Sequence, residues 1–550
     1  MRRIGAIAGV VAALLLVTPP AMADPGGNGA VAASPTLSLV DLGASPSLSF
    51  YVNHEYPGAT LSFPVPWGLT PVAFRAKLEM PLNIKMANLA VTQGDRTLTR
   101  MKLPLQTESD IVIPLQDMRV SGGWASVDLA MDAMPLDNQC WNDAVRVMLV
   151  DGAVTFRGNE APPGNIADFL PTVLSKITIA VPAKPSQAES SAAVQVAAAV
   201  AKRNGQRPDI VVVPLPPGQT ALATPSAPME RQIVVKEGLE KGLSLRGGAG
   251  VPVLLISGKG DELTQQARLL TDDALRLAVS AKTVADSLPG PDLLSDNTTV
   301  AELTNFALVS EATWPKVSIP LDQTRFGHSL RDIQIHLLGS YTPMPRDMGA
   351  ELTASVGGTV VDRWAAGADG VFDRVVSIPD LLLKRFMSVE VALRSTGNLG
   401  QCSDHLPATL RIDSASAIQA MNANPPVPQG FQAFPQALMP EVQFGIGADT
   451  FADTVRAVQI AVGLQRLSAE PLMTDVTTLE KAIASGRSSV LVSPGGWSQP
   501  GLDLPFTADH GTLTVKGLDV KGEPTTLTVD PDSRTLINRP SSAGVPARCR

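Results

Sequence analysis

A chain of 550 residues has room for about four domains, and a formal net charge of −8 with no Lys/Arg run excludes the basic footprint of a nucleic-acid binder. Aromatic residues make up 4% of the chain against 44% hydrophobic overall. The cores are therefore expected to be Val, Leu, Ile and Ala, with few rings to spare for stacking on a ligand.

In chain order, Arg2 and Arg3 precede an apolar run from Ile4 to Val17 and then Ala21-Met22-Ala23 before Asp24. This is the layout of a cleavable secretory signal over residues 1–23. The run is shorter than the roughly 18 residues of a spanning helix. The mature chain is thus expected to be exported to the periplasm or cell envelope, soluble or peripheral, with no transmembrane anchor. Residues 24–36 read as a flexible lead-in. Residues 37–172 show short alternating runs, such as Ala73 to Met80 and Asp110 to Ile113, broken by Pro, Gly and Asn, which predicts a β-sandwich. At Ile177 the pattern changes. An apolar strand to Val181, a turn and an Ala-rich helix from Gln187 to Arg203 open an α/β domain over 173–298, with further strands at 209–213, 231–235 and 251–256. A second β-sandwich covers 299–420 and a second, shorter α/β domain 421–505, with its helix at Phe451 to Leu464; a β-hairpin and polar tail fill 506–550. The fold class is multidomain β plus α/β.

The second half repeats the first. Trp124 to Cys140 (WASVDLAMDAMPLDNQC) returns as Phe386 to Cys402 (FMSVEVALRSTGNLGQC) at one offset, 402 minus 140, and Leu39 to Leu42 returns as Val300 to Leu303. A period this long marks a duplicated domain pair, since solenoid units run roughly 20 to 50 residues. The exchange of Trp124 for Phe386 is read as a core slot that tolerates either ring. Asp128 with Glu390, and Asp41 with Glu302, are read as solvent-facing strand positions.

No catalytic set assembles. Gly258-Lys259-Gly260-Asp261 lacks the spacing of a phosphate loop, and a tight turn with Asp261 capping the following helix is expected. His54, His328, His336, His405 and His510 show no metal-ligand spacing. Cys140, Cys402 and Cys549 allow one disulfide and one thiol, or three thiols, and their pairing is open. Trp67 and Trp141, each in a turn-rich context, are the candidate carbohydrate-binding residues; no cofactor or metal is expected.

Over about residues 37–500 the chain resembles the family of exported regulatory subunits of bacterial cellulose synthase. The likeness rests on Leu39 to Leu42 and its echo at Val300 to Leu303, on Cys140 and Cys402 at the ends of the β domains, and on Leu410 to Ser416. It rests also on Ile179 to Ser186 and on Val253 to Gly258. The resemblance implies two jelly-roll, carbohydrate-binding-like domains alternating with two small flavodoxin-like α/β domains. It implies a non-catalytic accessory protein that binds or guides nascent β-glucan beside a membrane-embedded glycosyltransferase. The family ends in an apolar anchor helix, where this sequence has Pro540 to Val545 and charge. Cyclic di-GMP, a cytosolic messenger, is not expected as a ligand of an exported chain. The competing readings are a glycan-processing enzyme and a structural envelope protein that binds other proteins.

Overall fold

The computed structural model describes residues 35–52, 58–136, 145–205, 208–247, 250–304, 308–312, 314–344, 349–395 and 408–493, together with strands at 506–509, 512–518, 524–528 and 535–538. The signal segment, Cys140, Trp141, Cys402, Cys549, His54, His405 and His510 lie outside the described residues. The protein is a multidomain, β-rich assembly.

The first sandwich contains β1 (Thr36–Ser38), β2 (Leu48–Val52), β3 (Gly58–Pro64), β4 (Leu69–Glu79), β5 (Ile84–Gln93), β6 (Arg96–Lys102), β7 (Glu108–Pro114), β8 (Val120–Ser121), β9 (Trp124–Pro135) and β10 (Val145–Gly158). One sheet runs β1-β10-β4-β7 with β2 also on β10, the other β3-β9-β5-β6 with β8 on β9. Period-two alternation builds the core between them: Leu61 and Phe63 of β3, Phe74 and Leu78 of β4, and Val127 and Leu129 of β9 all point inward.

The first α/β unit contains β11 (Lys176–Pro182), α1 (Gln187–Asn204), β12 (Asp209–Leu215), β13 (Glu230–Glu237), β14 (Gly242–Arg246), β15 (Val253–Gly258), α2 (Asp261–Arg268) and β16 (Lys282–Thr283). Its sheet runs β12-β11-β13-β15-β14-β16. The first four are parallel, and β14 and β16 are antiparallel additions. A capping box starts α1: Ser186 Oγ accepts from the Glu189 amide, and Glu189 accepts from the Ser186 amide. The other Glu189 oxygen accepts from the amide of Glu237 at the end of β13, which ties the helix start to the sheet.

The second sandwich contains β17 (Asn297–Thr299), α3 (Val300–Leu303), β18 (Leu308–Ala312), β19 (Lys316–Asp322), β20 (Leu330–Tyr341), β21 (Ala350–Val356), β22 (Thr359–Ala365), β23 (Val371–Ser377), β24 (Phe386–Ser395), β25 (Ala408–Ile412) and β26 (Ala417–Asn422). Its sheets, β17-β26-β20-β25-β18 with β23 on β20, and β19-β24-β21-β22, repeat those of the first. The registers repeat as well. Leu89 pairs with Met101 as Leu352 pairs with Trp364, and Pro64 with Trp124 as Asp322 with Phe386. Two expectations fail here. Trp124 and Phe386 are not core residues: they are 46% and 52% exposed, because each lies an even number of residues from the outward Ser126 or Ser388 and so shares its face. Asp41 and Glu302 do not stand on strand faces. Each closes a single helical turn, Asp41 bonding the amide and hydroxyl of Ser38, and Glu302 the amide and hydroxyl of Thr299. These hydrogen bonds, first from Thr298 and then from Thr299, hold the Glu302 carboxyl below its ordinary pKa.

The second α/β unit contains β27 (Glu441–Ile446), α4 (Thr450–Arg466), β28 (Met473–Thr478), α5 (Leu479–Ala484) and β29 (Ser489–Val492). Beyond it, β30 (Phe506–Asp509), β31 (Thr512–Leu518) and β32 (Pro524–Thr528) form a three-stranded meander rather than a hairpin. Within the polar tail, β33 (Thr535–Asn538) returns antiparallel to β29, giving the order β28-β27-β29-β33. Among the described residues, no helix is long and apolar enough to cross a membrane.

The two α/β units share one core through α1, which is buried nearly all round. Its polar residues close the edge strand β28. Gln195 accepts from the Thr474 amide at 2.8 Å and donates to the Leu472 carbonyl at 3.3 Å, and Ser191 Oγ accepts from the Val476 amide at 2.7 Å. On α4, Thr454 donates to Ser190 at 2.8 Å, and Arg466 reaches back to the carbonyls of Gly205 and Pro208. Gln195→Ala is expected to strand the buried Thr474 amide and Leu472 carbonyl and destabilise the protein by about 2–6 kcal/mol, at about 1–3 kcal/mol for each orphaned group. Urea denaturation checks this, and a variant as stable as the parent would show the edge strand to be satisfied in another way.

Candidate functional site

The feature that the duplication preserves on the surface is a triplet along the central strand of one sheet in each sandwich. Trp124, Ser126 and Asp128 occupy successive outward positions of β9, and Phe386, Ser388 and Glu390 those of β24. Successive outward residues stand roughly 7 Å apart along a strand. Across the sheet, Ser62 pairs with Ser126 and Thr60 with Asp128, while Pro320 pairs with Ser388 and Ser318 with Glu390. Each face thus offers one ring at its corner, then hydroxyls, then a carboxylate. The carboxylates have partners: Asp128 accepts from Thr60 Oγ1 at 2.7 Å, and Glu390 pairs with Lys316. Their outward placement agrees with the alternation in the sequence.

In the second sandwich this face opens into a cleft of about 560 Å³. Its floor is Phe386, Ser388 and Glu390; one wall is the Gly357-Gly358 turn between β21 and β22, and the other the segment from Leu381 to Lys384. Leu381 is 86% exposed. Added Cβ atoms on either glycine would meet nothing within 4 Å, so the turn stands in open space.

Trp67 is 65% exposed in the turn between β3 and β4, beside a cleft of about 480 Å³ that also touches Gly122 and Gly123. The turn is pinned from behind. Trp67 O accepts from the Ala161 amide at 3.0 Å, and Gly68 has φ +84° with the carbonyl of Asn159 only 2.3 Å from where a Cβ would stand. Beneath lies a buried ion pair, Arg231 to Glu160 at 2.6 Å. Arg231 also donates to Phe169 O and Glu160 accepts from the Met229 amide, so this pair joins the first sandwich to the first α/β unit with its bonds satisfied. Trp67 stands at the same end of the sandwich as Trp124, since Pro64 of β3 pairs with Trp124. Trp141 lies outside the described residues.

Other candidates are occupied structurally. The Gly260 amide donates to Glu237 Oε1 at 2.9 Å, so a carboxylate of the protein already takes the position a phosphate oxygen would need. The cap of α2 is Gly260 with no side-chain cap bond, and Asp261 is the first helical residue, so the expected Asp261 cap is not made. His328 pairs with Asp296 at 3.0 Å and His336 with Asp373 at 2.6 Å. Among the described residues, no group of three or more His, Cys, Asp or Glu is placed to hold a metal ion. Phe386 and the glycine turn escape a reading by residue type. The signal that finds the ring is its parity with Ser388 and Glu390.

Comparison with protein-family models gives no match, and comparison with curated proteins gives none. Similar solved structures include an acetyl xylan esterase from the rumen bacterium Butyrivibrio proteoclasticus, 12% identical over 33% of this chain and 49% of that one, with a TM-score of 0.15. They include a family 35 carbohydrate binding module from an environmental isolate, 14% identical over 20% of this chain and 79% of that one, with a TM-score of 0.13. A third is the CBM22-1-GH10 pair of a Clostridium thermocellum endo-1,4-beta-D-xylanase, 10% identical over 42% of this chain and 41% of that one, with a TM-score of 0.12. The chain thus spans about half the length of the esterase. Overlaps at these TM-scores carry no argument about this protein.

Because both corner rings are about half in solvent, Trp124→Ala and Phe386→Ala are each expected to change stability by no more than about 0.5–1 kcal/mol. Phe63→Ala, which empties a fully buried slot, is expected to cost about 3–5 kcal/mol. Chemical denaturation of the three variants measures the difference, and a loss at Trp124 as large as at Phe63 would place that ring back in the core.

Proposed function

We propose that this protein is a non-catalytic, exported accessory protein of a cellulose-like polysaccharide synthase, binding or guiding β-glucan outside the membrane. The observation that carries the reading is the twice-built outward triplet, Trp124, Ser126, Asp128 and Phe386, Ser388, Glu390. A pyranose unit presents an apolar face and a rim of hydroxyls. A half-exposed ring suits the first, and Ser, Thr and carboxylate oxygens suit the second, since a carboxylate accepts and a serine both donates and accepts. The duplication gives one chain two such faces, and two weak contacts on one polymer reinforce each other through effective concentration. Trp67, exposed at the same end of the first sandwich, extends that face.

The finer architecture belongs to the same reading: the sandwiches as jelly-roll domains, the α/β units as flavodoxin-like layers, and a membrane-embedded glycosyltransferase as the partner that delivers the polymer. The carboxylates at the two faces are tied to Thr60 and Lys316, an arrangement suited to holding hydroxyls in place.

The test is retention of the purified mature chain on insoluble β-glucan, with reducing ends measured in the supernatant. Retention without release of reducing ends is expected. The double variant Trp124→Ala/Phe386→Ala should lower retention by about tenfold or more, the equivalent of about 1.4 kcal/mol, with its melting temperature nearly unchanged. Steady release of reducing ends would make the protein a glycan-processing enzyme, and undiminished retention of the double variant would move the site elsewhere.

A further inference from the structure

The two sandwiches share one strand order, with β10 of the first divided into β25 and β26 in the second and β8 without a counterpart among the described residues, yet the same corner is closed in one and open in the other. In the first, Gln93 ends β5 and Arg96 begins β6, flanking the turn between them. Gln93 Nε2 donates to Arg119 O at 2.8 Å and to Ser126 O at 3.1 Å, and its Oε1 accepts from the Arg119 amide at 2.7 Å. Arg96 donates to Asp117 O at 3.0 Å. Three of these hydrogen bonds lace the segment before β9 onto the hairpin, and the fourth, to Ser126 O, ties the hairpin to β9 itself.

In the second sandwich the register puts Val356 and Thr359 where Gln93 and Arg96 stand. Val356 has no polar group to donate or accept, and the hydroxyl of Thr359 is far shorter than a guanidinium arm. The segment before β24 is instead held from the opposite side. Buried Gln323 donates from its side chain to Lys384 O at 2.9 Å, a bond that Val65 at the equivalent place cannot make, while its amide bond to Arg385 O repeats that of the Val65 amide to Gly123 O in the first sandwich. Asp380 accepts from the Asp332 amide at 2.9 Å, and Arg385 donates to Leu467 O in the second α/β unit. Among the described residues, the bonds that close the first corner have no counterpart in the second, and others hold the second apart, leaving the cleft of about 560 Å³ over Phe386, Ser388 and Glu390.

We infer that the sandwiches are unequal in binding: the cleft of the second is the principal seat for a segment of β-glucan, and the laced corner of the first is an auxiliary contact. This rests on the glycan reading above. The chemistry of the cleft fits a neutral polyhydroxylated chain. The Phe386 ring takes an apolar sugar face, the Glu390 carboxylate accepts hydroxyl protons, and Lys384 donates from the wall.

Exchanging the hairpin residues tests it. Val356→Gln/Thr359→Arg, which carries the lacing side chains into the second sandwich, is expected to lower retention on insoluble β-glucan by about tenfold, while Gln93→Val/Arg96→Thr in the first raises it by about two- to threefold. Phe386→Ala should cost several times more retention than Trp124→Ala. Amide exchange at Arg119 gives a readout free of ligand: it should be slow in the parent and accelerate in Gln93→Val/Arg96→Thr, while the melting temperature reports that each variant folds. Equal losses at Trp124 and Phe386, or no effect of the graft on retention, would overturn the assignment and leave the glycan reading standing. A parent chain retained on no β-glucan would remove both. Fast Arg119 exchange in the parent would remove the lacing itself.

Discussion

An edge strand in the middle of a protein is a liability, because its free N–H and C=O groups are buried with nothing to bond. Here β28 is such an edge, and two side chains of a helix from the other half of the chain complete it. Gln195 supplies an amide that both donates and accepts, as a neighbouring strand would, and Ser191 meets the next outward amide along. The rest of α1 can then be Ala and Val, small enough to lie between its own sheet and the second α/β unit. Without those two residues, the apolar packing of α1 on β28 would bury unpaired backbone groups, at about 1–3 kcal/mol for each.

With that seam closed, the two α/β units make one body, and each sandwich is fastened to it separately. The first is held by the buried Arg231–Glu160 pair. The second is held by a polar cluster: Arg325 with Glu470 at 3.6 Å, the Ala469 amide donating to Thr324, and Lys202 of α1 donating to Ala469 O. Burial dominates the electrostatics there. It pushes the Lys202 ammonium below and the Glu470 carboxyl above their ordinary pKa values, and the attraction between the two opposes both shifts. On the proposed glycan reading, two faces carried on this shared centre would let a second contact on the same polymer form with less loss of entropy than the first.

Much of this was legible from local rules. Alternation identified the strands, the Ala-rich run from Gln187 marked α1, and the repeat of Trp124 to Cys140 announced two sandwiches of one topology. The failures have separate physical causes. The exchange of Trp124 for Phe386 suggested a core slot, but residue type says only what a core tolerates, and the side of the sheet is set by parity; Ser126 and Asp128 already carried that information. Asp41 and Glu302 sit in a pattern that a strand and a capped helical turn share, and only the bonds to Ser38 and Thr299 separate the two. The pairing of Thr535–Asn538 with β29 joins segments more than forty residues apart, and no local pattern encodes a partner at that distance. The role of Gln195 was hidden for the same reason, since a glutamine in an Ala-rich helix looks like a solvent-facing residue until its strand is known.

The two corners show how a duplicated fold acquires two shapes with few changes. A strand ladder fixes the floor of each corner in backbone geometry, and the repeated sequence places a ring, a hydroxyl and a carboxylate on it in both. The wall is different, because it is a connecting segment whose position depends on which side chains reach it. A glutamine on the hairpin bonds that segment in the first sandwich, and a glutamine on the strand beside it bonds it in the second. Replacing Gln93 by a valine at the equivalent place removes three hydrogen bonds without disturbing the ladder, because the Val356 side chain still packs into the core as its strand position requires. Opening a cleft therefore leaves the fold intact, and a binding site can diverge on one copy while the other keeps the closed form.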